Sequence, residues 1–498
     1  MPPDAGLHPS HLAGEGRGHH GRSRFANRPY LLILLQGVWL CWLLAFPVAL
    51  DSDDALNFAH GVVRFSVLEF SPHFPGYPAF IWLARLLNLA VDDPARAVQW
   101  ASLLGTALIA PLAAGLAVKI WQRPSLLAPV WLLVLALPLT PTLALSGLSD
   151  GPALAAWLGT LLALQQRKIA LAGLLLGLML ALRPSYFVLT LLPLWLGMAQ
   201  QGNRVRFVLP IALVGLACLL FVWQADGWAY FAEGRRFTDG HFTLWGNTAA
   251  AHGDRLLSWA NTFNDQLTPL WPLLMGALLV LPLWQRSKDH NPAPSVLWPL
   301  YWLVLLLWTL VGQNPDNPRH LAPITLLGLV LLAGWLPRRG VGLVALAGLL
   351  LLAVTFTPPR PSAMVQAARV AEKNCPALVT QWGVRLLRET TTLPVTDGWY
   401  RGDAALALTQ GACRLSRRPL GAEALPGPYD TLWFSPAFTP NPASGSPCPA
   451  EPGACEGIAR LVYTHSRVCQ EPVQWKETRA EPGRGYGSRW PCCWPAPC

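Results

Sequence analysis

Apolar runs of about 20 residues, each long enough to cross the roughly 30 Å hydrocarbon core of a bilayer, recur between Tyr30 and Phe356. Inside hydrocarbon every backbone N–H and C=O has to be paired within the segment, so such runs fold as helices. The composition agrees, with 53% hydrophobic and 13% charged residues against about 25% charged in an ordinary soluble domain. These features predict an all-α polytopic membrane bundle lodged in a lipid bilayer. The net charge of +10 belongs to topology rather than to a nucleic-acid partner. The basic residues sit in short loops between apolar runs: Arg22, Arg24 and Arg28; Lys119 and Arg123; Arg167 and Lys168; Arg204 and Arg206; Arg286 and Lys288; Arg338 and Arg339. Such loops stay cytoplasmic.

Taken in order, residues 1–28 are Gly/His/Arg-rich, aperiodic and expected to be a disordered cytoplasmic N-terminus. A transmembrane domain follows over 29–357. Its spans are expected near 30–50, 98–118, 125–144, 150–164, 169–182, 186–199, 207–224, 268–284, 295–312, 320–336 and 341–357. Residues 30–50 exceed a signal-peptide core and read as an anchored span. The run 80–90 is too short to cross and reads as an interfacial or re-entrant helix. With about 11 spans, every basic pair falls inside. Asp51–Asp54, Asp150, Arg183, the polar loop 225–267 and Arg319-His320 then gather outside. From 358 the prolines multiply and apolar runs shorten, predicting a small α/β extracytoplasmic domain over 358–498. Strands are expected at 377–379 and 431–434, with helices at 362–372 and 402–409. Eight of the ten cysteines lie there (375, 413, 448, 455, 469, 492, 493 and 498), which suits an oxidising compartment and some disulfides.

The chemistry concentrates in 51–78, where three acids, Asp51, Asp53 and Asp54, directly follow a hydrophobic run. Ionisable groups at a membrane boundary are costly unless solvated or paired and so mark function. Asp53, Asn57, His60 and Arg64 are spaced i, i+4, i+7, i+11, one face of an amphipathic helix expected to turn toward a cavity; an ordinary interfacial helix is the plainer alternative. Crowded like charges raise the proton affinity of at least one acid, which suits a general base or a cation ligand. Pro75 and Pro78 around Gly76-Tyr77 stiffen the corner that follows His73. Asp150 begins a later span, where helix capping and site membership explain it equally well. Arg183 and Arg319 stand at predicted outer ends, with snorkelling as the alternative role. His241 and Trp245 lie in the polar outer loop.

The pattern Asp54-x-x-Asn57-Phe58-Ala59, followed by His73-Phe74-Pro75-Gly76-Tyr77-Pro78, resembles the first outer loop of bacterial family-39-like glycosyltransferases of the GT-C superfamily. Protein mannosyltransferases and lipid A aminoarabinose transferases are relatives of that family. The resemblance reappears weakly in Ser149-Asp150-Gly151-Pro152 and in Pro318-Arg319-His320-Leu321-Ala322-Pro323, with His320 where a Tyr is usual. It implies inverting sugar transfer from a polyprenyl-phosphate donor to an acceptor on the outer face. By this resemblance Asp54, or Asp53 in the alternative register, is the general base and Asp150 a further catalytic acid. Asp51, Asn57, Arg64, His73, Tyr77, Arg183, His241, Arg319 and His320 would then bind substrate. A divalent cation, Mg²⁺ or Mn²⁺, on Asp53 and Asp54 is an option that the superfamily leaves open. No Walker loop, dinucleotide fingerprint or Gly-x-Ser-x-Gly elbow occurs. The rival reading, a transporter or flippase, calls for charge near the bilayer midplane between pseudo-symmetric halves; a structural subunit with a degenerate site is a third.

Overall fold

The structure, a computed structural model, describes residues 29–46, 48, 50, 52–200, 202–244, 255–267, 295–315 and 317–334. Beyond 334 it describes shorter stretches, chiefly 375–381, 383–398, 401–416, 431–435, 455–457 and 467–469. It is mostly helical with a small sheet. The helices run α1 (Pro29–Leu44), α2 (Asp53–Val63), α3 (Pro78–Val91), α4 (Pro94–Ala107), α5 (Ile109–Trp121), α6 (Leu127–Ala136) and α7 (Leu139–Leu145). They continue with α8 (Asp150–Gln165), α9 (Ile169–Leu182), α10 (Leu191–Met198), α11 (Arg204–Asp226), α12 (Ala229–Leu244), α13 (Arg255–Leu267), α14 (Leu297–Gly312) and α15 (Ala322–Ala333). Helices therefore stand at the expected span positions except 268–284 and 341–357, which fall almost entirely outside the described residues.

Two helices among the described residues are long and apolar enough to cross a membrane. They are the continuous α4–α5 rod, Pro94–Trp121, and α11. A third is counted if α6 and α7 form one span bent by 63°; Pro138 sits at that break, where its missing N–H interrupts the helical ladder. The remaining apolar helices have 10–17 residues. On α11, Leu209, Leu213, Leu216 and Leu220 are all exposed, a surface that suits lipid rather than water. Residues 80–90 lie in α3, which packs on α2, α4 and α9.

The core of the bundle is α8, packed against α4, α5 and α9. Close approach at its start is enforced by glycine: a Cβ on Gly105 of α4 would lie 2.5 Å from Pro152 Cα, and one on Gly151 would run into Thr106. Several polar groups in this core are paired across helices. Trp157 Nε1–H donates to Tyr301 Oη (2.9 Å), whose own hydroxyl donates to Leu189 O (2.6 Å).

After 357 the chain forms a six-stranded sheet, β1 (Leu378–Thr380), β2 (Val395–Asp397), β3 (Cys413–Ser416), β4 (Thr431–Ser435), β5 (Cys455–Gly457) and β6 (Arg467–Cys469). Its order is β2-β1-β3-β4-β6-β5, parallel through β4 and antiparallel across β4-β6-β5. α16 (Val384–Thr390) follows β1, and α17 (Arg401–Thr409) follows β2. Both expected strands overlap observed ones, and the expected helix at 402–409 is α17; that at 362–372 falls mostly outside the described residues. A disulfide joins Cys375 to Cys413, tying the approach to β1 to the first residue of β3.

Candidate active site

Helix α2 is set by its own first turn. Ser52 Oγ accepts the Ala55 N–H (3.2 Å), and Asp53 and Asp54 place negative charge at the positive end of the helix dipole. Ala55, Phe58, Ala59 and Val62 are buried. A Cβ on Gly61 would come within 2.9 Å of Pro72 Cδ and 3.1 Å of the Ser71 carbonyl, so the helix lies in contact with the following corner.

That corner is anchored from α11. Asp226, its last residue, accepts from Ser66 Oγ and from Val67 N–H, each at 2.7 Å. Gly76 has φ +89°, and Tyr77 has φ +49°, a left-handed conformation that costs a side-chain-bearing residue about 1–2 kcal/mol. Packing holds it there: the Tyr77 ring meets Phe58 edge-on at 5.0 Å and His73 at 5.3 Å. Burial pushes the Tyr77 hydroxyl up to about 12, so it stays neutral near His73 Nε2 at 3.3 Å. The other nitrogen, His73 Nδ1, lies 3.6 Å from Asp54 Oδ1. Asp54 itself remains 38% exposed.

A second wall comes from three distant segments. Asp150, the first residue of α8, is 0% exposed. Its carboxylate accepts from Tyr186 Oη (2.8 Å) and pairs with Arg183 Nη1 (3.0 Å). Arg183 caps the C-terminus of α9, and the 3-10 turn Pro184–Thr190 brings Tyr186 back beneath the guanidinium, 5.2 Å from ring centroid to Cζ. Arg319, in the turn Pro318–Leu321 before α15, reaches both acids: Nη2 lies 3.4 Å from Asp54 Oδ2 and Nε 3.8 Å from Asp150 Oδ2. One guanidinium therefore joins the outer-loop acid to the buried one. Arg183 Nε and Arg319 Nε are buried donors without a hydrogen-bond partner, an arrangement that calls for an explanation in a native site.

The two neighbouring acids of α2 differ electrostatically. Burial alone would raise Asp54, but His73, Arg319 and Arg183 together hold its carboxyl below the ordinary value. Asp53 is raised, chiefly by burial and further by the Asp54 charge, although the Leu386 N–H works against this. Asp53 Oδ1 accepts that N–H at 3.0 Å. Asp53 thus turns toward the C-terminal region and Asp54 toward the arginines.

Asp54, His73, Tyr77, Asp150, Arg183 and Arg319 converge; other expected residues do not. The face Asp53, Asn57, His60, expected to turn to a cavity, is instead covered by α16: Asn57 Oδ1 accepts from Arg385 Nη1, and His60 Nε2 pairs with Glu389 at 3.0 Å. Arg64 falls past the end of α2 as its C-cap, 76% exposed and paired with Glu69 at 2.9 Å. His320 Nδ1–H donates to Asn314 O (3.1 Å), bracing its own turn. Asp51 and Trp245 lie outside the described residues; His241 belongs to α12, and its side chain is not described. Arg183 is buried against Asp150, which removes the snorkelling alternative, and Asp150 stands at the first position of α8 rather than at its N-cap, with its carboxylate on Tyr186 and Arg183. Tyr186 and the α16 residues were missed. Tyr186 carried a local signal, being three residues past Arg183 across a proline, whereas α16 carried none.

The carboxylates of Asp53 and Asp54 do not suit a divalent cation. Asp54 faces His73 and Arg319, Asp53 faces a backbone N–H, and among the described residues no group of three or more His, Cys, Asp or Glu could hold a metal.

No protein-family model matches the chain, and no curated protein matches it. Among solved structures, it is similar to ArnT from Cupriavidus metallidurans bound to undecaprenyl phosphate, with 12% identity over 88% of this chain and 97% of that one and a TM-score of 0.48. The apo state of the same protein gives 13% identity over 89% and 98% of the two chains and a TM-score of 0.34. At that distance no residue's role passes from those proteins to this one.

Proposed function

We propose that the chain is an integral-membrane glycosyltransferase. It moves a sugar from a polyprenyl-phosphate donor to an acceptor hydroxyl on the extracytoplasmic face of the plasma membrane. The observation that carries this reading is the bridge of Arg319 between a solvent-accessible carboxylate, Asp54, and a buried one, Asp150. In the displacement, Asp54 takes the acceptor's proton as that oxygen attacks the anomeric carbon. The sugar–phosphate C–O bond breaks, and the lipid phosphate departs as an anion stabilised by Arg319 and Arg183, whose Nε–H groups make no hydrogen bond among the described residues. Asp150 keeps the two guanidiniums aimed and compensates their charge in the absence of donor.

Charge balance explains how a depressed carboxyl can act as a base. Without donor, Asp54 sits beside cations and binds protons weakly. When phosphate occupies the arginines, their field is neutralised and negative charge is added, so the proton affinity of Asp54 rises as the acceptor is to be deprotonated.

The charged groups stand at helix ends: Asp150 begins α8, Arg183 closes α9 and Arg319 precedes α15. That location supports a site at a membrane edge over a midplane transport pathway. At the other end, Arg123 Nη1–H donates to Gly334 O (2.8 Å), joining two loops of the basic set. An even number of crossings between those positions fits the proposed arrangement of about 11 spans with the N-terminus cytoplasmic and residues 358–498 outside.

The test uses full-length protein in nanodiscs with undecaprenyl phosphate as the probe. Arg319→Ala is expected to weaken binding about 10–100-fold, the loss of one charged hydrogen-bonding partner. Asp54→Asn should bind the probe normally but lose about 10²–10⁴ in turnover of lipid-linked sugars from the native membrane extract. Absence of undecaprenyl phosphate binding in the unaltered protein defeats the lipid-phosphate assignment; full turnover in Asp54→Asn defeats the base.

A further inference from the structure

Three residues of α2 at i, i+4 and i+7 each meet α16, the short helix between β1 and β2. Asp53 Oδ1 accepts the Leu386 N–H at 3.0 Å, Asn57 Oδ1 accepts from Arg385 Nη1, and His60 Nε2 lies 3.0 Å from Glu389 Oε1. Arg385 Nη1 also donates to the Phe70 carbonyl at 2.9 Å, joining α16 to the corner that carries His73 and Tyr77. The apolar packing divides in the same way. Leu386, 1% exposed, belongs to the core cluster of the helical bundle, whereas Leu387 packs with Cys375, Leu378, Val395 and Cys413 beneath the sheet. Adjacent side chains of one helix thus enter two cores.

Asp54 is the next residue after Asp53, on the other side of the same helical turn. Its distances to His73 and Arg319 depend on where that turn is held. The Ser52 cap keeps the first turn of α2 helical, but it is a contact within the helix itself and does not set where that turn sits relative to the segments around it. The Leu386 N–H on Asp53 fixes that end directly, and Arg385 fixes the middle of the helix against the corner.

We infer that Asp53 and Arg385 are positioning residues: with the Leu386 N–H they clamp α2 to the C-terminal region and so set the place of Asp54 between His73 and Arg319. The inference rests on the proposed role of Asp54 and assigns Asp53 no contact with substrate. It also gives the C-terminal region a part in the reaction, since one of its helices forms the outer wall of the first turn of α2. The clamp uses an acceptor oxygen on residue 53, not its negative charge. Asparagine supplies that oxygen; alanine does not.

Two measurements on the full chain in nanodiscs decide it. The first is hydrogen–deuterium exchange of the Leu386 amide. Asp53→Asn should keep its protection, while Asp53→Ala and Arg385→Ala should exchange it at least about tenfold faster, the loss of one modest hydrogen bond. The second is turnover of undecaprenyl-phosphate-linked sugars from the native membrane extract. Asp53→Ala and Arg385→Ala should lower kcat about tenfold with the lipid KM unchanged, as expected for a misplaced base. Asp53→Asn should recover most of that loss, and the double variant should lose no more than either alanine variant. Protection of Leu386 that survives Asp53→Ala overturns the clamp. Asp53→Asn as inactive as Asp53→Ala, with Leu386 still protected, overturns it as well and returns Asp53 to the chemistry. An unaltered protein without turnover counts against the proposed function instead, and the exchange measurement still decides whether the clamp exists.

Discussion

At the scale of single residues, two adjacent aspartates are separated by what surrounds them. Asp54, still 38% exposed, is held below the ordinary carboxylate value by His73, Arg319 and Arg183, which together outweigh the effect of its partial burial. The acid limb of kcat/KM, which reports the free enzyme, should therefore lie below the ordinary carboxylate range. In the proposed donor complex phosphate would neutralise the same arginines, so the acid limb of kcat should lie at higher pH. A pH–rate series measured at limiting and at saturating lipid checks this, and limbs in the reverse order would contradict the charge balance. The same carboxyl links to stability with a definite sign. Because its folded value is depressed, its contribution is present above the unfolded value and is lost as pH falls through the folded one. Asp150 and Arg183 form the buried counterpart. Asp150→Asn leaves Arg183 without its paired charge, a loss of about 3–5 kcal/mol for a buried pair, and should lower the melting temperature in detergent. Replacing both with Leu should return a large part of that loss.

At the scale of elements, legibility followed locality. The 51–78 stretch, Asp150 and Arg319 were readable because ionisable residues between apolar runs have few roles open to them. The 3.6-residue period placed Asp53, Asn57 and His60 on one face, which the structure bears out. What lies opposite that face was not readable, since α16 is more than 300 residues further along the chain. Arg64 was lost from the face because the helix ends at Val63, where Arg64 adopts φ −138°. The site also depends on how near α4 and α8 approach. A Cβ on Gly105 meets Pro152 backbone atoms at 2.5–2.6 Å, a contact that neither helix can relieve by a rotamer change. Gly105→Ala should push the first turn of α8 outward and carry Asp150 with it. The cost is expected to be about 1–3 kcal/mol from overpacking, together with weakened undecaprenyl phosphate binding. Gly215→Ala, where nothing lies within 4 Å of the added methyl, is the control and should leave binding unchanged.

At the scale of the whole molecule, the two ends of the bundle are fastened differently. At one end charged side chains cross between segments, Arg319 to Asp54 and Asp150, and Arg183 to Asp150. At the other, Arg123 meets the carbonyl of Gly334, and Arg167 and Lys168 follow the last turn of α8. Charged pairs are expensive to maintain at a lipid boundary unless they are used or solvated, whereas loop arginines and lysines are retained on the cytoplasmic side. The orientation proposed above, with Asp54 and α16 outside and Gln166 inside, is consistent with both. This orientation is testable without activity. In intact cells a membrane-impermeant maleimide should label Asp403→Cys, on α17, above the background of the native cysteines. Gln166→Cys, in the turn after α8, should be labelled only after permeabilisation. The reverse pattern would put the acids and arginines on the cytoplasmic side. Because Gln166 stands at the far end of α8 from Asp150, which Arg319 joins to Asp54, labelling of both Asp403→Cys and Gln166→Cys from outside would mean that α8 does not cross the bilayer.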